Sequence, residues 1–159
     1  MNATDIATLV FKQFGSAVLE QQPEGPHAHL VVTPEAIIEV CNFLRNHELL
    51  KFELLRCITA IDWPEKQRIE LSYDLLSIQH GHTLAVKVRL DRSAPRISSV
   101  SDIWPAANWH EREAYDLMGV TFSGHPELLR ILLPEDWVGH PLRKDYVDPE
   151  EYHGITAKR

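Results

Sequence analysis

The chain has 159 residues, 44% apolar and 25% charged, the proportions of an ordinary globular domain long enough to bury a core. Acidic residues outnumber basic ones by 23 to 16, a net charge of -7, which argues against a general nucleic-acid binder because phosphate contacts need clustered Lys and Arg. The two cysteines, Cys41 and Cys57, cannot supply the four thiolates of an iron–sulfur cluster, nor a structural zinc cage without histidine help. No apolar run reaches the roughly 18 residues of a membrane span. Residues 1–14 lack the basic region and cleavage site of a secretory signal. The expectation is a chain in reducing cytoplasm, without direct membrane insertion.

The first predicted element is a helix over Thr4–Phe14, with Ile6, Leu9, Val10 and Phe14 on one face and Gly15 as its stop. Residues 21–27, with Pro23, Gly25 and Pro26, read as a loop. Leu30–Val32 reads as a short strand. Thr33 is then placed as the cap of a second helix, with Pro34 at its first position and Ile37, Val40, Cys41 and Leu44 facing the core. Cys41 reads as a small buried hydrophobe.

From Phe52 to Leu90 the apolar period changes to two. Phe52–Ile61 reads as a strand apolar on much of both faces. Ile69, Leu71, Tyr73 and Leu75 alternate with polar residues, as do Leu84, Val86, Val88 and Leu90. The segment Gln79-His80-Gly81-His82 suits the hairpin turn between them. Such alternation predicts a mostly antiparallel sheet with one packed face and one polar face. With helices packed on it, the fold class is α+β, two layers. Ser98–Asp102 supplies helix-start residues for a helix over Trp104–Met118, closed by Gly119 as a left-handed cap. Beyond Phe122 no period is sustained, and Pro126, Pro134, Pro141 and Pro149 break the chain. The same stretch holds Leu128, Ile131, Leu132, Leu133, Trp137, Tyr146 and Tyr152, so it is too apolar for ordinary disorder. It divides the chain into a domain over 1–133 and an extended arm over 134–159 that needs a surface to lie on. Fully extended, the arm reaches about 85 Å at about 3.3 Å per residue.

Candidate chemistry is sparse. His27 and His29 form an H-x-H pair, as do His80 and His82, but no third metal ligand stands at a recognisable spacing. His110-Glu111 lacks the second histidine of a zinc-protease helix, since position 114 is Ala114. No phosphate loop, dinucleotide fingerprint or nucleophile elbow is present. The helix over Trp104–Met118 is unusual, because Glu111 falls within the apolar face of Trp104, Ala107, Ala114, Tyr115 and Met118. Glu113 lies between Trp109 and Leu117, and Arg112 is four residues from both Asn108 and Asp116. Carboxylates on such faces must be paired, or their pKa rises. Arg130, Arg143 and Lys144 are the candidate partners. Glu111, Arg112 and Glu113 are thus expected to tie the helix to the arm, and Arg112→Ala to destabilise the fold or assembly strongly.

The run Asn-Trp-His-Glu-Arg-Glu-Ala-Tyr-Asp-Leu-Met-Gly-Val at 108–120 is followed by Phe122 and Gly124-His125-Pro126. Then come Leu128, Arg130-Ile131-Leu132 and Gly139-His140-Pro141-Leu142-Arg143-Lys144-Asp145-Tyr146, with Ile58-Thr59-Ala60-Ile61-Asp62-Trp63-Pro64 upstream. Together these closely resemble the 30 kDa subunit family of respiratory complex I, the proton-pumping NADH:quinone oxidoreductase. The resemblance implies a non-catalytic, cofactor-free structural subunit of the peripheral arm. FMN, iron–sulfur clusters and the quinone site would belong to partner chains. The implied partners are the large quinone-site subunit and neighbouring iron–sulfur subunits, in a hetero-oligomer on the cytoplasmic side of the bacterial inner membrane. The same module is known in relatives fed by ferredoxin, reduced deazaflavin or hydrogen, so the electron donor is left open.

Two departures stand out. Leu129 precedes a single Arg130 where family members often carry two arginines, and the chain stops at Arg159 where many run on. The expected interface or fold-locking residues are Glu111, Arg112, Glu113, Asp116, His125, Arg130, Trp137, His140, Arg143, Lys144, Tyr146 and Tyr152. Trp137, Tyr146 and Tyr152 are the expected anchors on a partner, and Arg143 and Lys144 would meet partner carboxylates. His125 and His140, each before a proline, read as turn residues first. No residue is expected to be catalytic. An independent histidine-dependent metalloenzyme is the alternative from another class.

Overall fold

The computed structural model describes residues 1–25 and 27–156. Pro26 of the expected loop and residues 157–159 of the expected arm lie outside the described residues.

Helix α1 (Ala3–Phe14) starts at Asn2, whose side chain accepts from the Asp5 N–H at 2.8 Å while the Asp5 carboxylate accepts back from the Asn2 N–H. This reciprocal pair satisfies donors that a helix start leaves orphaned. Strand β1 (Val18–Gln22) follows, so the first two residues of the expected loop belong to a strand. After β2 (His29–Val32), Pro34–Ala36 forms a 3₁₀ turn, and helix α2 (Ile37–Asn46) begins only at Ile37. Thr33 makes no side-chain cap, contrary to expectation.

Strands β3 (Leu54–Trp63), β4 (Arg68–Leu76) and β5 (Thr83–Asp91) form the antiparallel centre. The β4–β5 turn closes through Ser77 N–H to His82 O at 2.9 Å. The sheet order is β1-β2-β5-β4-β3, and β2 runs parallel to β5. Strand β6 (Arg96–Ser98) pairs parallel with β7 (Thr121–Ser123). Helix α3 (Ala107–Met118) stands between these two strands in sequence, and a small hairpin, β8 (Glu151–Tyr152) with β9 (Ile155–Thr156), follows. The expected helix start at 98–102 is instead β6 and a loop.

Ile6, Val10, Ile37, Val40, Cys41 and Leu44 meet Leu71, Tyr73, Leu75, Val86 and Val88 in one core that also takes Ala107, Ala114 and Met118 of α3. Full burial of each such aliphatic side chain is worth roughly 1.5–3 kcal/mol. The opposite sheet face is polar. There Glu70 is ringed by Arg68, Lys87 and Arg89 at 3.4–3.8 Å. The expected α+β layers and one-sided sheet are therefore those observed.

Candidate functional site

Helix α3 organises everything that follows it. The Trp104 indole N–H, just upstream, donates to Phe52 O at 3.0 Å and ties the helix approach to the domain. At the other end Gly119 takes φ 71°, and its N–H closes on Tyr115 O. A side chain there would be strained, and its Cβ would fall 2.5 Å from the His140 ring. The last carbonyls of a helix have no partner within it. Here the C-terminal segment supplies the partners: His140 Nδ1 donates to Asp116 O at 3.0 Å, the Leu142 N–H to Leu117 O at 3.1 Å, and Arg143 Nε to Met118 O at 2.9 Å. The His-Pro-Leu-Arg run thus caps α3 from outside its own sequence.

Asp116 is the second anchor. Its fully buried carboxylate accepts from the backbone N–H groups of Ile131 (3.0 Å), Leu132 (2.7 Å) and Leu133 (3.0 Å), and from Arg130 at 3.0 Å. Burial pushes this carboxyl's pKa up, but the N–H groups of Leu133, Leu132 and Ile131, with the Arg130 charge, hold it below the ordinary value. A third anchor lies at the end of β3. Arg92 bonds both oxygens of buried Asp62, at 2.6 and 2.9 Å, and reaches Asp145 at 2.6 Å. Asp62 also accepts the Lys144 N–H at 2.9 Å, and the Lys144 ammonium stands 5.4 Å over the Trp63 ring. Arg92, with the Lys144 bond, holds the Asp62 carboxyl below its ordinary pKa against the pull of burial.

The structure therefore revises the expected boundary at residue 133. The segment does not leave the domain as an extended arm at Pro134, but follows it as far as Asp145. The reason is the unmet carbonyls of α3 and the buried Asp62, both of which need donors. Trp137, Tyr146 and Tyr152 are turned toward one another: the Trp137 indole donates to the Tyr146 hydroxyl at 3.0 Å, and the Trp137 and Tyr152 rings lie 5.0 Å apart. Gly139, at φ 88°, makes room, since a Cβ there would sit 2.9 Å from the Tyr146 ring. Tyr152 and His153 both bond Asp136.

The expected ties from the middle of α3 divide three ways. Arg112 does reach the segment, donating through Nε to Leu129 O at 3.1 Å while lying over the exposed Trp109 ring. Glu111 turns the other way. It accepts from Ser99 Oγ at 2.5 Å and Val100 N–H at 2.7 Å, so it locks the β6–α3 connection rather than the arm. Glu113 is exposed and bonds nothing among the described residues. It borders a hollow of about 290 Å³ with Ile58, Ala60, His110, Leu117 and Leu142. The His125 side chain is buried and donates to Asn108 O, as a turn residue. Asp62, Arg92, Asp145 and Ser99 belong with these residues. Asp62 and Asp145 lie within the quoted runs and Ser99 within the stretch read as a helix start, but no sequence pattern marks their roles, and none singles out Arg92.

Leu128 packs against the core, but the directional fastening is done by backbone and polar groups, and several apolar side chains are left outside. Trp109, Leu129, Leu132, Leu142 and Val138 are 62%, 55%, 61%, 59% and 86% exposed. The histidine pairs are spent locally: His29 bonds His27 O, His80 bonds Glu48 O, and His82 bonds Leu50 O. No group of three metal-ligating side chains occurs among the described residues, and none of the helices there is long and apolar enough to cross a membrane.

Comparison with known proteins gives a consistent answer. Residues 30–152 match the family described as respiratory-chain NADH dehydrogenase, 30 kDa subunit. The corresponding NADH-quinone oxidoreductase subunit of Chlorobium phaeobacteroides is 50% identical over 75% of this chain and 72% of its own length. That of Chloroherpeton thalassium is 42% identical over 94% of this chain, which spans 62% of that protein. Among solved structures, a chain of the membrane-bound sulfane sulfur reductase, an archaeal respiratory membrane complex, aligns with TM-score 0.78 and 26% identity over 92% of this chain and 86% of its own. The trypsin-resistant fragment of Nqo5 aligns with TM-score 0.64 and 28% identity over 80% of this chain and all of its own. With its signature helix and the segment that caps it inside the matched region, the chain belongs to the 30 kDa subunit family of respiratory-chain NADH dehydrogenases.

Proposed function

We propose that the chain is a non-catalytic structural subunit of the peripheral arm of a proton-translocating NADH:quinone oxidoreductase. Family membership makes it a subunit of a multi-subunit respiratory complex, and hence of a hetero-oligomer. Its partners on this reading are the large quinone-site subunit and the adjoining iron–sulfur subunits, on the cytoplasmic side of the membrane. FMN, clusters and quinone are held by those chains. One observation carries the reading. Beyond Leu128, which packs against the core, the segment as far as Asp145 is fixed by backbone and ionic bonds, while Leu129, Leu132, Leu142 and Val138 are exposed. A rigid display of apolar side chains beside Trp109 and Arg112 has the composition of an interface core rather than of a free surface.

The test is co-purification of the full chain with native membranes. Recovery of the quinone-site and iron–sulfur subunits is expected, together with its loss in Leu129→Asp/Leu132→Asp at unchanged melting temperature. Full recovery by the double variant would overturn the assigned surface. A stoichiometric flavin or cluster spectrum on the purified chain would overturn the cofactor-free role.

The alignment with the sulfane sulfur reductase chain over 92% of this sequence supports a second reading: the same positional role in a related respiratory membrane complex. The electron-input subunit recovered in the same experiment separates the two.

A further inference from the structure

Four carboxylates are buried among the described residues: Asp62, Glu70, Glu111 and Asp116. Asp62 has Arg92, Glu70 has Arg68, Lys87 and Arg89, and Asp116 has Arg130. Among the described residues no Lys or Arg pairs with Glu111. From the loop after β6 it meets the Ser99 hydroxyl, the Val100 N–H and the negative charge of Asp102. From α2 it is felt by the Cys41 thiol, and from β4 by the Tyr73 hydroxyl, which is buried without a hydrogen-bond partner. From the turn after β7 comes His125, whose Nε2 lies 4.0 Å from the carboxylate, with both side chains fully buried. That ring brings no charge. Its Nδ1 accepts from the Glu127 N–H at 3.0 Å, so the proton sits on Nε2, which donates to Asn108 O at 3.1 Å.

Ser99 is the informative neighbour. Its oxygen is 2.5 Å from Glu111 Oε2 and 2.8 Å from Ser101 Oγ. One hydroxyl proton cannot serve both. If Ser99 donates to Ser101, the short contact to Glu111 requires a proton on the carboxyl, which donates to Ser99. If Glu111 is ionised, Ser99 turns its proton inward and accepts from Ser101. Either arrangement is complete, and they differ by one proton. The half-buried Ser101 stands at the outer end of the row.

The geometry points to a proton-binding site at Glu111 that exchanges with solvent through the hydroxyls of Ser99 and Ser101. On release the carboxyl O–H breaks and its proton passes to Ser99 Oγ, as the Ser99 proton passes to Ser101 Oγ and the Ser101 proton to water. Uptake runs in reverse. Burial supports the site, pushing this carboxyl's pKa up to about 7 although the Ser99 and Val100 bonds pull it down, with Asp102 adding to the rise. The site lies in the interior of this chain and is independent of which partners the chain docks against.

The purified full chain, carrying glutamate labelled at its carboxyl carbon, is titrated by carbon NMR. One carboxyl is expected to titrate near pH 7 and to disappear from that range in Glu111→Gln. Ser99→Ala removes a bond that favours the ionised form, so the midpoint is expected to move further up. All glutamates titrating around the ordinary 4.5, or a near-neutral titration that persists in Glu111→Gln, would overturn the site. Should Glu111→Gln not fold, Ser99→Ala decides: an unchanged midpoint overturns the proposal.

Discussion

The sheet with its helices and the segment from Leu128 to Asp145 are held by opposite means. In the first, Leu71, Tyr73, Val86 and the stripes of α1 and α2 are packed out of water, and the polar groups face outward. In the second, the polar groups face inward: Asp116, Asp62 and the last carbonyls of α3 grip backbone N–H groups and guanidinium ions, and although Leu128 packs against the core, Leu129, Leu132, Val138 and Leu142 are left outside. Apolar burial is nondirectional and tolerates repacking, whereas this fastening depends on a few atoms each. In this way a chain of this size keeps apolar side chains exposed without losing them to its own core. The cost is concentration of the segment's stability in three anchors.

That contrast can be broken first at the core. Leu71→Ala is expected to lower global stability by roughly 2–5 kcal/mol in urea melts, unfolding both regions together. Asp116→Ala is the counterpart for the segment. It strands the N–H groups of residues 131–133 and the Arg130 charge, for a cost of about 3 kcal/mol. Its readout differs in kind: trypsin is expected to cut at Arg130, Arg143 and Lys144 while the sheet remains protected. Equal protection in this variant and the parent would mean that the segment is held by something else.

Acid and base should separate the two kinds of buried carboxyl. The pKa values of Asp62 and Asp116 lie below their unfolded values, so their contribution is present above about pH 4 and is lost as pH falls through the depressed values. Glu111 is opposite: its folded pKa lies above its unfolded one, so its contribution is full below about 4.5 and lost as pH rises through about 7. Melting temperature should decline on both sides of about pH 5, and Glu111→Gln should flatten the upper limb alone.

The smaller effects concern α3. Arg112→Ala, expected from sequence to be severe, removes one bond to a carbonyl and a contact with an exposed ring, so its cost in a thermal melt should stay below about 1 kcal/mol. Glu113→Ala should shift stability by no more than about 0.5 kcal/mol, since the side chain is exposed. A strong loss of complex recovery with either variant, at unchanged melting temperature, would place that residue in the interface itself.

Much of the fold is legible in the sequence because its signal is local. The two-residue period over Ile69–Leu75 and Leu84–Leu90 marks β4 and β5, and the stripes of α1 and α2 mark the helices that cover them. Strands β1, β6 and β7 leave no such mark. β1 buries only Val18, and β6 and β7 are three residues each, too short for any period to show. The start of α2 is misplaced from sequence because Pro34 and Glu35 suit a 3₁₀ turn as well as a first helical turn.

The α+β class, the closure of α3 at Gly119 and, through the long run of residues 108–146, the family can all be read along the chain. Those depend on neighbours in the chain. What the charged residues of that run do is set by contacts in three dimensions. Whether Glu111 or Asp116 faces the segment, and whether Arg143 reaches outward or caps Met118, is set by which donor lies within about 3 Å in space. Asp62, Arg92 and Asp145 meet across separations of up to 82 residues in the Asp62–Lys144 bond, and no sequence period records such a meeting.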